Sequence, residues 1–212
     1  MPEIFDKIEE YAAQISHLDS QKIYNGKEIE SSIAKLKILD KERISCGISL
    51  QSMHAIHYDT NKGNLLFVGL PKAKKSVEML AEDLQSDNTK CYLIDFELYR
   101  KSHYVYELAM YLLVNSDFPR NFNSLQTDPE YLKAIVSHYF EVINDGDKAS
   151  EDLIAETITK IKWALLVTSF DMYLMFALCH LKYPNSGVDY KLFAECDLNF
   201  YNKHLEVMER NE

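Results

Sequence analysis

The stretch His57-Tyr58-Asp59-Thr60-Asn61-Lys62-Gly63-Asn64, running into Leu65-Leu66-Phe67-Val68, decides how this chain reads. It is answered further on by Cys91-Tyr92-Leu93-Ile94-Asp95-Phe96-Glu97. In each case a polar group abuts an apolar run of strand length, which predicts two strands over 65–69 and 90–94. The connection through Pro71 and Asp87-Asn88 is long for a hairpin, and Val77, Leu80 and Leu84 at helical spacing predict a short helix over 76–84. Upstream, Ile4, Phe5, Ile8, Tyr11, Ala12 and Ile15 mark one amphipathic helix, and Ile29, Ile33, Leu36 and Ile38 mark a second over 28–39. Periodicity fades over 47–59, which reads as a connector. Downstream the pattern is helical over 104–114, 131–143, 150–181 and 188–208, with a turn-rich interval at 117–129 and a stop at Asn144-Asp145-Gly146. The expected fold is mainly α with a small β-hairpin. It forms a single domain over 1–212, divided into leading helices (1–56), the two motifs (57–97) and a helical subdomain (98–212).

Composition narrows the function. A net charge of −10 disfavours nucleic acid as a partner, because phosphate backbones are met by basic faces. An acidic surface suits a protein that receives cations. Cys46, Cys91, Cys179 and Cys196 lie far apart, without metal-binding spacing, and the chain opens on no signal peptide; thiols in a reducing cytoplasm are expected. The apolar stretch from Trp163 to Leu178 is interrupted by Thr168, Ser169 and Asp171, so it reads as a buried helix and not as a membrane span.

The two motifs supply what phosphoryl transfer to a hydroxyl needs: an aligned acceptor, a group to take its proton, and a cation spread over the phosphate oxygens. Asp59 is placed as the base. Asn64 and Asp95 offer hard oxygen donors suited to Mg²⁺, which takes few protein ligands and fills its shell with water and phosphate. His57 suits a brace for the loop, and Gly63 a turn that returns Asn64 toward Asp95. The same residues also fit an ordinary polar turn, with Asp95 capping the end of a strand. The histidines show no HxxxH or HExxH spacing, and there is no GxGxxG, Walker or Gly-x-Ser-x-Gly motif, so zinc, dinucleotide, P-loop and nucleophile-elbow chemistry are not expected.

With these residues in view, 57–66 resembles the catalytic loop of choline and ethanolamine kinases, usually His-Asn-Asp-Leu-x-x-x-Asn followed by two aliphatics. Tyr92 to Glu97 is similar to that family's metal-binding strand, including its Phe-Glu pair. Asp189-Tyr190-Lys191-Leu192-Phe193-Ala194 with Tyr201-Asn202-Lys203-His204 resembles the closing helix. The resemblance implies the C-terminal lobe of a protein-kinase-like fold that moves the γ-phosphate of ATP, with Mg²⁺, onto choline or ethanolamine for phospholipid precursor metabolism. It implies Asp59 as catalytic base beside His57, and Asn64 and Asp95 as the Mg²⁺ and cofactor ligands. It also implies Glu97, Asn61 and Trp163 around the substrate ammonium. A cation over an indole face gains ~2 kcal/mol when desolvated, whereas the alternative for Trp163 is one more core aromatic on a long helix.

The chain departs from that pattern in two places. Glu107-Leu108-Ala109-Met110-Tyr111-Leu112 stands where the family has an Asp-led segment, and Leu166 stands where a second cage tryptophan is expected. No Gly-rich loop or Val-Ala-x-Lys-like strand precedes His57, so weak turnover by this chain alone is expected, with a separate N-terminal lobe or self-association as possible partners. A non-catalytic binding module on the same scaffold, and a kinase of the aminoglycoside phosphotransferase type, are the alternatives.

Overall fold

The computed structural model describes residues 3–46, 54–59, 64–68, 90–95, 98, 100–115 and 129–210. In chain order the elements are α1 (Glu3–Leu18), α2 (Gly26–Leu39), a π-helical turn (Asp40–Ile44), β1 (His54–Ile56), β2 (Leu65–Val68), β3 (Lys90–Leu93) and β4 (Arg100–Ser102). Helices α3 (Tyr104–Val114), α4 (Pro129–Ile143), α5 (Glu151–Lys182) and α6 (Tyr190–Arg210) follow. The helices and the 65–68/90–93 hairpin agree with the periodicity of the sequence. The expected helix at 76–84 and the turn-rich 117–128 lie outside the described residues.

Helix α5 carries the architecture. Ser150 caps it by accepting from the Leu153 N–H at 3.2 Å, which satisfies one of the orphan donors of the first turn. From Trp163 to Leu174 every residue is buried, so this part of the helix shows no apolar stripe. Helices α1, α3, α4, α6 and the π-helical turn all pack on it. Among the described residues it is the one helix of 18 or more residues apolar enough to cross a membrane, yet most of that stretch is covered by the rest of the molecule. Its polar residues are accommodated individually. Thr168 and Ser169 hydroxyls donate back to the Leu165 and Leu166 carbonyls at 3.3 and 3.1 Å, while Asp171 pairs with Arg100 at 2.8 Å.

Two features differ from the expected connector and helix. Residues 54–56 form a strand, paired antiparallel with β4 as His54↔Ser102, Ala55↔Lys101 and Ile56↔Arg100. Three residues are too few to show alternation, and the partner Arg-Lys-Ser has no apolar pattern, so the pair leaves no periodic signal. The second helix, in turn, does not stop at Leu39 but runs into the π-helical turn, closed by the Ser45 N–H on the Asp40 carbonyl at 2.7 Å. The wider turn lets both Asp40 and Ile44 point inward. Asp40 accepts from the Tyr106 hydroxyl and from the Ser45 hydroxyl at 3.0 Å. Burial pushes its carboxyl up, and those two hydrogen bonds pull it back.

Helix α6 closes the core through Ala194, Asp197, Phe200, Tyr201 and His204. The His204 Nε2–H donates to the Lys162 carbonyl at 2.6 Å, and burial lowers its pKa to about 4. In the unfolded chain His204 takes a proton below its ordinary value near 6.5, whereas the folded form refuses it until about pH 4. The stability present above pH 6.5 is therefore lost across that window, by up to about 3 kcal/mol. Urea unfolding at pH 7, 5.5 and 4.5 should show wild type losing stability relative to His204→Gln. A difference between the two that stays constant with pH would remove His204 as the cause.

Candidate active site

The β2–β3 hairpin brings the two motifs together. Leu65 pairs with Leu93, and the Ile94 N–H donates to the Asn64 carbonyl at 3.0 Å. Asn64 thus enters one strand beside the point where Asp95 leaves the other. Leu66, Tyr92 and Ile94 turn outward on this hairpin, each more than two-fifths exposed.

The loop that opens the site is held by its own side chains. Asn64 Nδ2 donates to the Asp59 carbonyl at 2.9 Å and to Asp59 Oδ2 at 2.8 Å. That double contact orients the Asp59 carboxylate and turns the amide oxygen of Asn64 the other way. His57 is buried; its Nδ1 accepts from the Asp59 N–H at 3.2 Å, so Nε2 carries the proton and donates to the Ile94 carbonyl at 2.9 Å. One imidazole therefore ties the Asp59 loop to the strand that ends in Asp95.

Tyr58 and Asp95 both have φ of 65°. A non-glycine residue in this left-handed region costs about 1–3 kcal/mol and persists only where its surroundings over-determine it. For Tyr58 those surroundings are visible. Its N–H donates to Glu107 Oε2 at 2.8 Å, its ring is completely buried, and the Arg100 guanidinium lies 4.2 Å from the ring centroid. Arg100 in turn pairs with Asp171, both side chains being under 5% exposed. Burial pushes the Asp171 carboxyl up, and Arg100 opposes this. For Arg100 burial works downward, but Asp171 together with the Tyr58 and Tyr11 phenols outweighs it and holds the guanidinium more firmly protonated. The 2.8 Å contact is that of two charged groups. Burial likewise drives the Tyr58 phenol well above its ordinary value.

Glu107, which reads from sequence as a departure, therefore contacts the residue before Asp59 from the first turn of α3. Arg100 and Asp171 belong to no motif, and Tyr58 stands within one without a role read for it; only the tertiary contacts single the three out. Trp163 is 6% exposed, and the Arg43 guanidinium of the π-helical turn sits 5.7 Å from its ring centroid. It lies eight positions before Asp171 on α5, roughly 12 Å along the axis. Asn61, Gly63 and Glu97 lie outside the described residues.

Among the described residues no three His, Cys, Asp or Glu side chains converge on a metal position. Asn64 and Asp95 fit a different demand. They present one amide oxygen and one exposed carboxylate at the mouth of a hairpin, the sparse hard-oxygen set that Mg²⁺ accepts when phosphates complete its shell.

No protein-family profile matches the chain, and no curated protein sequence matches it. Among solved structures, the ethanolamine kinase of Plasmodium vivax superposes with a TM-score of 0.70 at 14% identity, over 96% of this chain and 49% of that kinase. The fold is kinase-like. The chain spans about half the length of that kinase, and its mostly helical body with a small antiparallel strand pair corresponds to the C-terminal lobe of such a fold.

Proposed function

We propose that this chain is the catalytic-loop lobe of a small-alcohol kinase that transfers the γ-phosphate of ATP to the hydroxyl of a cationic amino alcohol, ethanolamine or choline, in the cytoplasm. The observation that carries the reading is the Asn64–Asp59 contact at 2.8 Å beside a hairpin that delivers Asp95, within a kinase-like fold. Asp59 accepts the acceptor hydroxyl proton as the new oxygen–phosphorus bond forms and the bond from the γ-phosphorus to the bridging oxygen of ADP breaks. Asn64 keeps the carboxylate turned toward the acceptor, and His57 fixes the spacing between Asp59 and the end of β3. Asn64 and Asp95 would hold Mg²⁺, which when bound neutralises phosphate charge. Glu97 and Asn61 are proposed for the ammonium side of the acceptor, together with Trp163. The outward face of Leu66, Tyr92 and Ile94 supports packing against a nucleotide-binding lobe or a second copy.

Incubation with Mg-ATP and ethanolamine, followed by ³¹P NMR, should yield phosphoethanolamine, and millimolar Mg-nucleotide should raise the melting midpoint. Arg43 over Trp163 favours a second reading, a non-catalytic module whose cation seat is filled internally. Absence of both product and thermal shift would select it over the kinase.

A further inference from the structure

We propose that Tyr58, Arg100 and Asp171 are positioning residues for Asp59: a buried ion pair seats its guanidinium on the Tyr58 ring and thereby holds the loop in the conformation that aims the Asp59 carboxylate. The role of Asp59 rests on the kinase reading above; the clamp itself does not.

The argument begins with the backbone. Tyr58 immediately precedes Asp59 and has φ of 65°, so its conformation sets the direction in which Asp59 leaves β1. A bulky side chain in that region relaxes unless both its ring and its amide are held. Here the amide is held by Glu107 from α3, at 2.8 Å. The ring is held from the other side by Arg100, 4.2 Å from the centroid. Arg100 stands on β4 exactly opposite Ile56 in the register, two residues before Tyr58. The strand pair therefore fixes the guanidinium relative to the loop, and Asp171 fixes it relative to α5. A desolvated guanidinium is attracted to a tyrosine face more strongly than an exposed one, and Arg100 is 4% exposed. Side chains from β4, α3 and α5 thus converge on one strained peptide. The surface pair Lys7–Glu10, by contrast, joins residues of one helix with both side chains 48% exposed.

Backbone amide exchange tests the clamp without requiring activity. In wild type the Tyr58 and Asp59 amides are hydrogen-bonded, to Glu107 and His57, and should be protected. Tyr58→Leu removes the ring and leaves the ion pair intact. It should accelerate exchange at these two amides at least about tenfold while α5 and α6 amides keep their wild-type rates. The double variant Arg100→Met/Asp171→Leu removes the cation without leaving an orphan charge and should give the same local effect, whereas Arg100→Lys should recover part of the protection. Unchanged exchange at residues 58 and 59, or an equal rise throughout α5 and α6, would overturn the proposal. Phosphoethanolamine formation by wild type is scored separately. A clamp present without product would leave this inference standing and remove the kinase reading, and product with no local exchange effect would do the reverse.

Discussion

Asp171→Ala should lower the unfolding free energy by about 3–5 kcal/mol, because it strands the Arg100 guanidinium in a dry interior. Both members of the pair are under 5% exposed, so water cannot take over from the lost carboxylate. For a chain of 212 residues a loss of that size lowers the melting midpoint by roughly 8–15 °C. Removing both charges together is a different experiment. Arg100→Met/Asp171→Leu leaves no uncompensated ion, and its cost should be well below the single variant, because desolvating two charges offsets much of their attraction. Glu10→Ala is the surface comparison: its partner Lys7 is 48% exposed, and the expected cost is under about 0.5 kcal/mol. Urea denaturation of the three variants separates these effects. A single-variant cost as small as the surface one would mean that the interior around Arg100 admits water.

Asp59→Ala should slow phosphate transfer to ethanolamine by ~10²–10⁴, the usual contribution of a positioned general base. Its effect on stability should be small by comparison. Asp59 is half-buried, and loss of the bond its side chain accepts from Asn64 at 2.8 Å is worth about 1 kcal/mol. The contrast is diagnostic. A variant that keeps its melting midpoint within a few degrees and loses transfer identifies Asp59 with the reaction. Transfer at close to the wild-type rate would take the proton elsewhere and leave Asp59 as a loop residue held by Asn64. Asp59→Asn keeps the shape and removes the negative charge, so its rate should fall almost as far.

Much of the fold was legible along the chain because helices and the β2–β3 hairpin are local. Ile4, Phe5, Ile8 and Ile15 recur at the helical period, and each is buried in α1. Leu65 and Leu93 flank polar turns and become register partners. Ser150 and Asp189 sit one residue before their helices and accept from the Leu153 and Leu192 amides at 3.2 and 3.0 Å, as capping residues do. The candidate residues were legible for the same reason: Asn64 and Asp95 flank the two strands that the apolar runs mark, and Asp59 stands five positions before Asn64 in the same polar run.

What the chain alone did not disclose depends on residues far apart in sequence. The β1–β4 pair joins two three-residue strands with no pattern of their own. The Asp171 carboxylate reads along the sequence as an interruption of an apolar helix, and becomes the anchor of Arg100 only when α5 passes beneath the strand pair. Glu107 reads as a departure from a motif until its carboxylate meets the Tyr58 amide. Trp163 offers an indole to any cation, and folding lays Arg43 against it. Local periodicity and strand-end chemistry thus determined which groups stand at the site. Tertiary structure decided what holds them, because a buried charge is tolerable only beside a partner that another element of the fold brings to it.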